Sequence, residues 1–417
     1  MSDVRADFPD EEYDPFAVFD ESTGAGTVRD PYPVFRELRA ECPVQTGNVA
    51  ERFDWDQSVD PMLSDPDRTY TPLSFEAVQA VLKDGETFSS SAYADSMGLV
   101  MGHSILEMDE PEHHQYRSLI QQAFTRKAMD HWETDLVGPI VQGLIDEFVD
   151  QGEADLVRQL FWPFPVHVIA GMLGLPAEEL PAFHRRAVEL ISIAVDIDRG
   201  LVASQWLYDF FAGVIAQRRA DPREDLISVL VEAELDGQQL TDEEIIAFLR
   251  LLLPAGAETT YRSSSNLMFG LLSNPDQLER LRADRALMPA AIEEGLRWEP
   301  PLTGIGRTAT RDVVVDGVTI PAGSPISVCL GGANRDPSRW ENPDQFDLGR
   351  DAKQHLAFAF GPHMCLGMHL ARMETRIVLE RLMDRLPGLR LDPGRPVTLY
   401  GWEFRAPDSL WVRWDAA

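Results

Sequence analysis

A chain of 417 residues, 44% apolar and 25% charged, is long enough to bury a large core. Acidic residues outnumber basic ones 69 to 37, and the formal charge of -32 repels nucleic acid and anionic membrane. Only Cys42, Cys329 and Cys365 are present, too few for a disulfide framework, and no apolar run approaches the roughly 20 residues that a bilayer crossing needs. The opening Met1-Ser2-Asp3-Val4-Arg5-Ala6-Asp7 lacks the apolar core of an export signal. A soluble cytoplasmic protein, without nucleic-acid or membrane partners, is expected.

Residues 1–30 read as an irregular lead-in rich in acid, Gly and Pro, and residues 31–417 as one mainly helical domain with small sheets. Pro31 to Arg39 begins a helix, and a polar, Pro-containing region extends to about residue 70. Phe75, Val78 and Leu82 predict a helix ending near Gly85, followed by a surface loop through Gly102 that could act as a lid. Helical patterns dominate from 112 to 275, with breaks near Gly174-Leu175-Pro176 and Gly237. Within them, His113 and Arg117 lie one helical turn apart. Thr241 followed by Glu244 reads as a capping box opening a long helix toward Leu272. About 30 residues of helix span roughly 45 Å, the width of the whole domain. Its centre is Leu253-Pro254-Ala255-Gly256-Ala257-Glu258-Thr259-Thr260. Ala255 and Gly256 would let something flat approach the backbone, while Pro254 removes a donor and Thr259 competes for carbonyls, so local distortion is expected. Glu294 and Arg297 share one helix face. Strands are expected over Asp312 to Ile320 and Ile326 to Leu330, with Arg307 opening an earlier strand-like run. A helix at 367–385 and a strand-rich tail complete the chain.

The most informative residue is Cys365, in Phe358-Ala359-Phe360-Gly361-Pro362-His363-Met364-Cys365-Leu366-Gly367. A sulfur just before a helix lies at its positive end, where a thiolate is favoured. Gly361 and Gly367 permit tight turns and close approach to the backbone. One soft anionic ligand so presented suits an axial position of haem iron. A lone cysteine is more often a small buried hydrophobe, and His355, His363, Cys365 and His369 could instead form a zinc cluster, which needs convergent ligands. His113, Arg117, Arg307 and His363 are basic groups suited to carboxylates.

Taken together, these motifs resemble those of the soluble bacterial cytochromes P450. The haem-loop pattern appears as Phe358, Gly361, His363, Cys365, Gly367 and Ala371. The oxygen-activating helix appears as Ala255 to Thr260, and the Glu-x-x-Arg pair as Glu294 and Arg297. His113/Arg117, Arg307 and Asn334-Arg335-Asp336-Pro337 match as well, in the family's order from about residue 30 to 414. The resemblance implies the triangular P450 fold with haem b (iron protoporphyrin IX) between the Thr259 and Cys365 helices. Cys365 would be the proximal thiolate, and Ala255 and Gly367 would lie against the cofactor. His113, Arg117, Arg307 and His363 would hold the propionates. Glu258, where many bacterial members have Asp, and Thr259 would organise water and deliver protons. Glu294 and Arg297 would be structural, linked to Arg335.

Dioxygen-dependent monooxygenation of an apolar terpenoid, steroid, fatty acyl or aromatic compound is the implied activity. Residues Met97 to Met101, Ile191 to Val195, Leu251 to Ala255, Leu302 to Ile305 and Trp402 to Phe404 would line the pocket. Val100, Met101, Leu251, Ala255, Thr259, Leu302, Ile305 and Phe404 are its chief expected members. Arg199 or Arg250 could receive an acidic handle. With no flavin or iron–sulfur signature, electrons would come from NAD(P)H through a ferredoxin and ferredoxin reductase. They would dock a monomer near Arg126, Lys127, Arg372 and Arg376. A peroxide-driven haem peroxygenase and a non-catalytic haem sensor or ligand carrier are the alternatives; the Glu258/Thr259 pair argues against both.

Overall fold

The computed structural model describes residues 18, 28–47, 49–53, 68–176, 179–191 and 196–415. The pocket segment expected over 191–195 lies outside the described side chains, as does most of the lead-in. The chain is mainly helical with small sheets, as its patterning predicts.

Helices that frame the interior are, in chain order, α1 (Gly98–Met101), α2 (Glu112–Ile120), α3 (Pro163–Met172), α4 (Leu180–Ile191), α5 (Ile197–Ala220), α6 (Asp242–Ser273), α7 (Met288–Trp298) and α8 (Met368–Arg385). The 32-residue α6 starts where the sequence predicts. Thr241 accepts from the Glu244 N–H (3.2 Å), and the Glu244 carboxylate accepts from the Thr241 N–H (2.7 Å). It is apolar around most of its circumference because α3, α4, α5, α7 and α8 surround it. Its polar run is partly bonded: Ser263 donates to the Thr260 carbonyl (3.1 Å), and Asn266 donates to the carbonyls of Glu299 (3.2 Å) and Arg405 (2.9 Å). α6 continues helically through Pro254.

The stretch expected as a lid loop is more ordered than predicted. It contains strand Phe88–Ser89, a 3-10 turn Ser91–Asp95 and α1. Tertiary pairing explains this, since Phe88–Ser89 is the edge of a five-stranded sheet. The sheet runs Val44–Thr46, Tyr70–Pro72, Pro325–Cys329, Gly304–Ala309, Phe88–Ser89. Its pairing sets Ser89 opposite Thr308, beside Arg307. The strand expected over Asp312 to Ile320 is a hairpin, Val313–Val315 with Val318–Ile320, turning at Asp316 (φ 48°) and Gly317 (φ 81°).

A buried ionic hub closes the fold. Glu299 accepts from the Tyr32 hydroxyl (2.7 Å) and Arg405 Nε (2.7 Å), and Arg335 approaches at 3.4 Å. The Arg335 guanidinium also lies 3.3 Å from the centre of the Tyr32 ring.

Candidate active site

Two tight turns build the cysteine loop. Ala359 N–H donates to the Leu356 carbonyl (2.9 Å), Met364 N–H to Gly361 (3.1 Å), and Cys365 N–H to Phe358 (2.9 Å). Gly361 has φ +73°, and a Cβ there would stand 2.4 Å from the Leu82 carbonyl oxygen, so its glycine is demanded by protein backbone. Gly367 caps α8, and a Cβ there would meet nothing within 4 Å. Cys365 is exposed, yet enough protein surrounds it that burial pushes its thiol up. The Gly367 backbone, Arg117 and Arg372 act in the opposite direction.

At one edge of this loop the expected basic groups converge. The rings of His113 and His363 lie 4.1 Å apart between centroids, and Arg117 Nη2 donates to the Met364 carbonyl (2.6 Å). Arg307 is buried, its Nη1 donating to its neighbour's Gly306 carbonyl (2.6 Å). Burial, together with the charges of Arg307, His113 and Arg117, pushes His363 down to about 3. His113 is also held low by burial, although Glu110 pairs with its Nδ1 (3.1 Å), and its buried Nε2 has no hydrogen-bond partner. Buried, mutually repelling donors call for an anion.

Leu251, Ala255 and Thr259 follow one another at four-residue spacing on one α6 face. Ala255 is exposed there while Leu253, Pro254, Ala257 and Glu258 are buried. The Thr259 hydroxyl donates to the Ala255 carbonyl (2.6 Å), so it offers lone pairs outward. Glu258 is turned to an ion pair with Arg262 (3.3 Å). Gly256 does not serve a flat ligand: a Cβ there would lie 3.0 Å from Ile169 Cδ1, so its smallness admits α3. Sequence patterning missed Glu374 on α8, buried and pushed up to about 8 by that burial, with the Thr260 hydroxyl 3.4 Å away. Nothing in local spacing marks it.

The Glu294–Arg297 pair is buried and bidentate (2.7 and 2.8 Å). Arg297 also donates to the carbonyls of Asn334 (3.0 Å), Pro343 (2.8 Å) and Gln345 (3.0 Å), clamping the segment before the cysteine loop. The expected link to Arg335 is wrong. Arg350 completes the cluster on Glu294 (3.1 Å), while Arg335 belongs to the Glu299 hub.

Other expected positions divide. Leu302 and Phe404 pair as an isolated bridge and stay half-buried, as do Leu251 and Ile305. Val100 and Met101 are fully buried. Trp402 is turned away, packing on Phe35 (5.5 Å) and Phe53 (5.2 Å). Arg199 pairs with Asp196 (3.2 Å). Arg250 is a tether: Nη1 donates to the Val100 carbonyl (2.8 Å) and the Ser204 hydroxyl (2.6 Å), joining α1, α5 and α6. Burial lowers its pKa to about 10. On the proposed partner face, Arg372 is held by Glu293 (2.6 Å) and Arg376 by Glu133 (2.6 Å), leaving Arg126 and Lys127 more exposed. Among the described residues, no three His, Cys, Asp or Glu side chains are placed to hold a metal ion, which removes the zinc alternative. The site instead fits a haem: an accessible sulfur, an exposed alanine face and a buried cationic edge with an orphaned His113 nitrogen.

The family model described as Cytochrome P450 matches residues 197–387. Cytochrome P450 monooxygenase PikC of Streptomyces venezuelae is 35% identical over 405 residues, covering 94% of this chain and 92% of the relative. Steroid C26-monooxygenase of Mycolicibacterium smegmatis is 36% identical, covering 87% of this chain and 92% of the relative. The crystal structure of CYP109E1 from Bacillus megaterium in complex with testosterone has a TM-score of 0.81 at 32% identity, covering 93% of this chain and 99% of that one.

Proposed function

The chain belongs to the cytochrome P450 family and is a monooxygenase, and on that premise we propose the role each part of its site plays. The observation that carries the assignment is an exposed Cys365 sulfur at the head of α8, beside four converging basic side chains. Haem b bound through Cys365 supplies the dioxygen chemistry, which places one oxygen atom in substrate and one in water.

His113, Arg117, Arg307 and His363 would hold the propionates, the two guanidiniums meeting their charge and His113 Nε2 gaining the partner it lacks. Ala255, small and exposed on α6, would leave room for the flat face of the cofactor. Thr259, its own proton committed to the Ala255 carbonyl, accepts a hydrogen bond from a water and so orients that water. Glu258 supplies a titratable group one residue away, paired with Arg262 (3.3 Å). Glu294, Arg297 and Arg350 fix the segment that leads into the cysteine loop.

Substrate is an apolar molecule of steroid size. Half-buried Leu251, Leu302, Ile305 and Phe404 support this, together with the steroid named for the Mycolicibacterium relative and the testosterone bound to CYP109E1. Electrons come from NAD(P)H through a separate ferredoxin and its reductase. Among the described residues no helix is long and apolar enough to cross a membrane.

The test is spectral and then chemical. Reduced, haem-loaded protein treated with carbon monoxide is expected to show a thiolate-type Soret band. A steroid panel is expected to shift ferric haem from low to high spin, with hydroxylated product under a reconstituted electron supply. A correctly folded, haem-loaded protein without that Soret band would refute the assignment.

A further inference from the structure

Seven arginines are buried among the described residues. Five of them, Arg218, Arg262, Arg297, Arg335 and Arg405, have a carboxylate within 3.4 Å. Two do not. Arg307 is one, and a cofactor propionate would meet it. Arg250 is the other, and among the described residues no Asp or Glu pairs with it. A guanidinium taken out of water without a counter-charge is costly to the fold, so its retention at this place calls for a reason.

The part of Arg250 that lacks a partner is well defined. Nη1 makes all of its hydrogen bonds, to the Val100 carbonyl (2.8 Å), the Ser204 hydroxyl (2.6 Å) and the Ser204 carbonyl (3.5 Å). Nε is buried and has no hydrogen-bond partner. Nη2 lies beside Gly102 at the end of α1, where a Cβ would stand 3.1 Å from it, so the glycine leaves that flank uncovered. Nε and Nη2 together form one edge of the guanidinium fork. Elsewhere in this chain the same edge grips a carboxylate: Arg297 holds Glu294 through Nε and Nη2 (2.7 and 2.8 Å), and Arg372 holds Glu293 likewise (2.6 and 2.9 Å). At Arg250 the bonds of Nη1 hold the fork in place, and no protein carboxylate takes its other edge.

The position suits recognition of a substrate. Arg250 directly precedes Leu251, which opens the α6 face that continues through Ala255 and Thr259, and its bonds join α1, α5 and α6. We propose that Arg250 is a specificity residue that binds a carboxylate through Nε and Nη2, and that the substrate is an apolar carboxylic acid of steroid or long-chain fatty acyl size. The inference rests on the monooxygenase reading and narrows its substrate class. It also sets where oxygen enters. Thr259 is nine residues further along α6, roughly 13 Å by helical rise, and helical side chains lean toward the start of their helix. An acid gripped at Arg250 is therefore hydroxylated toward its far end rather than beside its carboxyl group.

The test is a set of spin-shift titrations of the ferric holoenzyme with lithocholate, with palmitate, and with the methyl ester of each. At least one acid is expected to bind about tenfold more tightly than its own ester. That preference is expected to vanish in Arg250→Met, whatever happens to affinity as a whole, because a loosened tether weakens acid and ester alike. Arg250→Lys, which keeps the charge and loses the fork, is expected to lose most of it and serves if Arg250→Met does not retain haem. Ser204→Ala weakens the tether but spares the Nε–Nη2 edge, so its preference for the acid is expected to stay. Equal binding of acid and ester in both pairs, or no shift with either acid, overturns the proposal. A preference that survives in Arg250→Met or undiminished in Arg250→Lys does the same, as does a product hydroxylated beside the carboxyl group. Each of these results leaves the thiolate-type Soret band in place, whereas loss of that band in the unmodified protein sinks the reading beneath it.

Discussion

The segment leading to Cys365 and the middle of α6 are held by opposite means. Before Cys365, charge is met by charge: Glu294 binds Arg297 and Arg350, and Arg297 ties down three backbone carbonyls. Around α6 the buried polar and ionisable groups are met by dipoles or a near neighbour. Arg250 leans on a carbonyl and a hydroxyl, Glu258 on Arg262 one turn away, and Glu374 on Thr260. The first arrangement tolerates little movement, because separating a buried pair leaves an uncompensated charge. The second spreads its contacts over single hydrogen bonds and one local pair within α6, on the side of the helix network that faces the pocket elements. Rigidity on one side sets where the sulfur stands; compliance on the other sets what can approach it.

The contrast can be broken most severely at the sulfur. Cys365→Ser is expected to abolish the thiolate-type Soret band and monooxygenation together, read by carbon-monoxide spectra and product analysis. Next comes the clamp. Arg297→Lys keeps the charge but loses the two-pronged grip on Glu294, and a cost of about 3–5 kcal/mol is expected, visible as a lower denaturation midpoint and poor haem retention. A denaturation midpoint equal to the wild type would show the clamp to be dispensable.

Glu374 sharpens the comparison through pH. Its pKa in the fold, about 8, is raised above the ordinary 4.5. Its neutral form therefore supports stability fully below about pH 4.5, and that support is lost as pH rises through about 8. Glu374→Gln is expected to remove this loss, gaining a few kcal/mol at pH 9 relative to wild type; parallel stability–pH curves for the two proteins would contradict it. The smallest effect belongs to Arg250→Met. Losing the guanidinium's hydrogen bonds to Val100 and Ser204 should loosen α1 against α5 and weaken substrate affinity more than kcat. Unchanged affinity in a spin-shift titration would argue that α1 is held by packing alone.

Features written in adjacent residues were legible in the sequence. The capping box at Thr241/Glu244, the turn-rich approach to Cys365, and the three-residue spacing of Glu294 and Arg297 each depend on local geometry. What could not be read depended on chain segments far apart. Arg350 reaches Glu294 from 56 residues away, and Glu374 is made neutral by packing against α6. Trp402 looked like a pocket residue but is captured by Phe35 and Phe53 of the N-terminal region. Gly256 looked like an opening for a flat ligand, yet it is small because Ile169 presses on it from a different helix. Strand Phe88–Ser89 lacks any alternating pattern of its own and exists because Thr308 and Ala309 pair with it.

The Glu299 hub carries a consequence for how the molecule is made. Tyr32 and Arg405 meet on one carboxylate although almost the whole chain separates them. A nascent polypeptide emerging from the ribosome can shape its central helices early, but Tyr32 must wait for Glu299 before its hydroxyl finds its acceptor, and Glu299 waits in turn for Arg405. Until Arg335 and Trp402 are in place the aromatic surface of Tyr32 and Phe35 stays uncovered, which exposes the growing chain to aggregation and to chaperone capture.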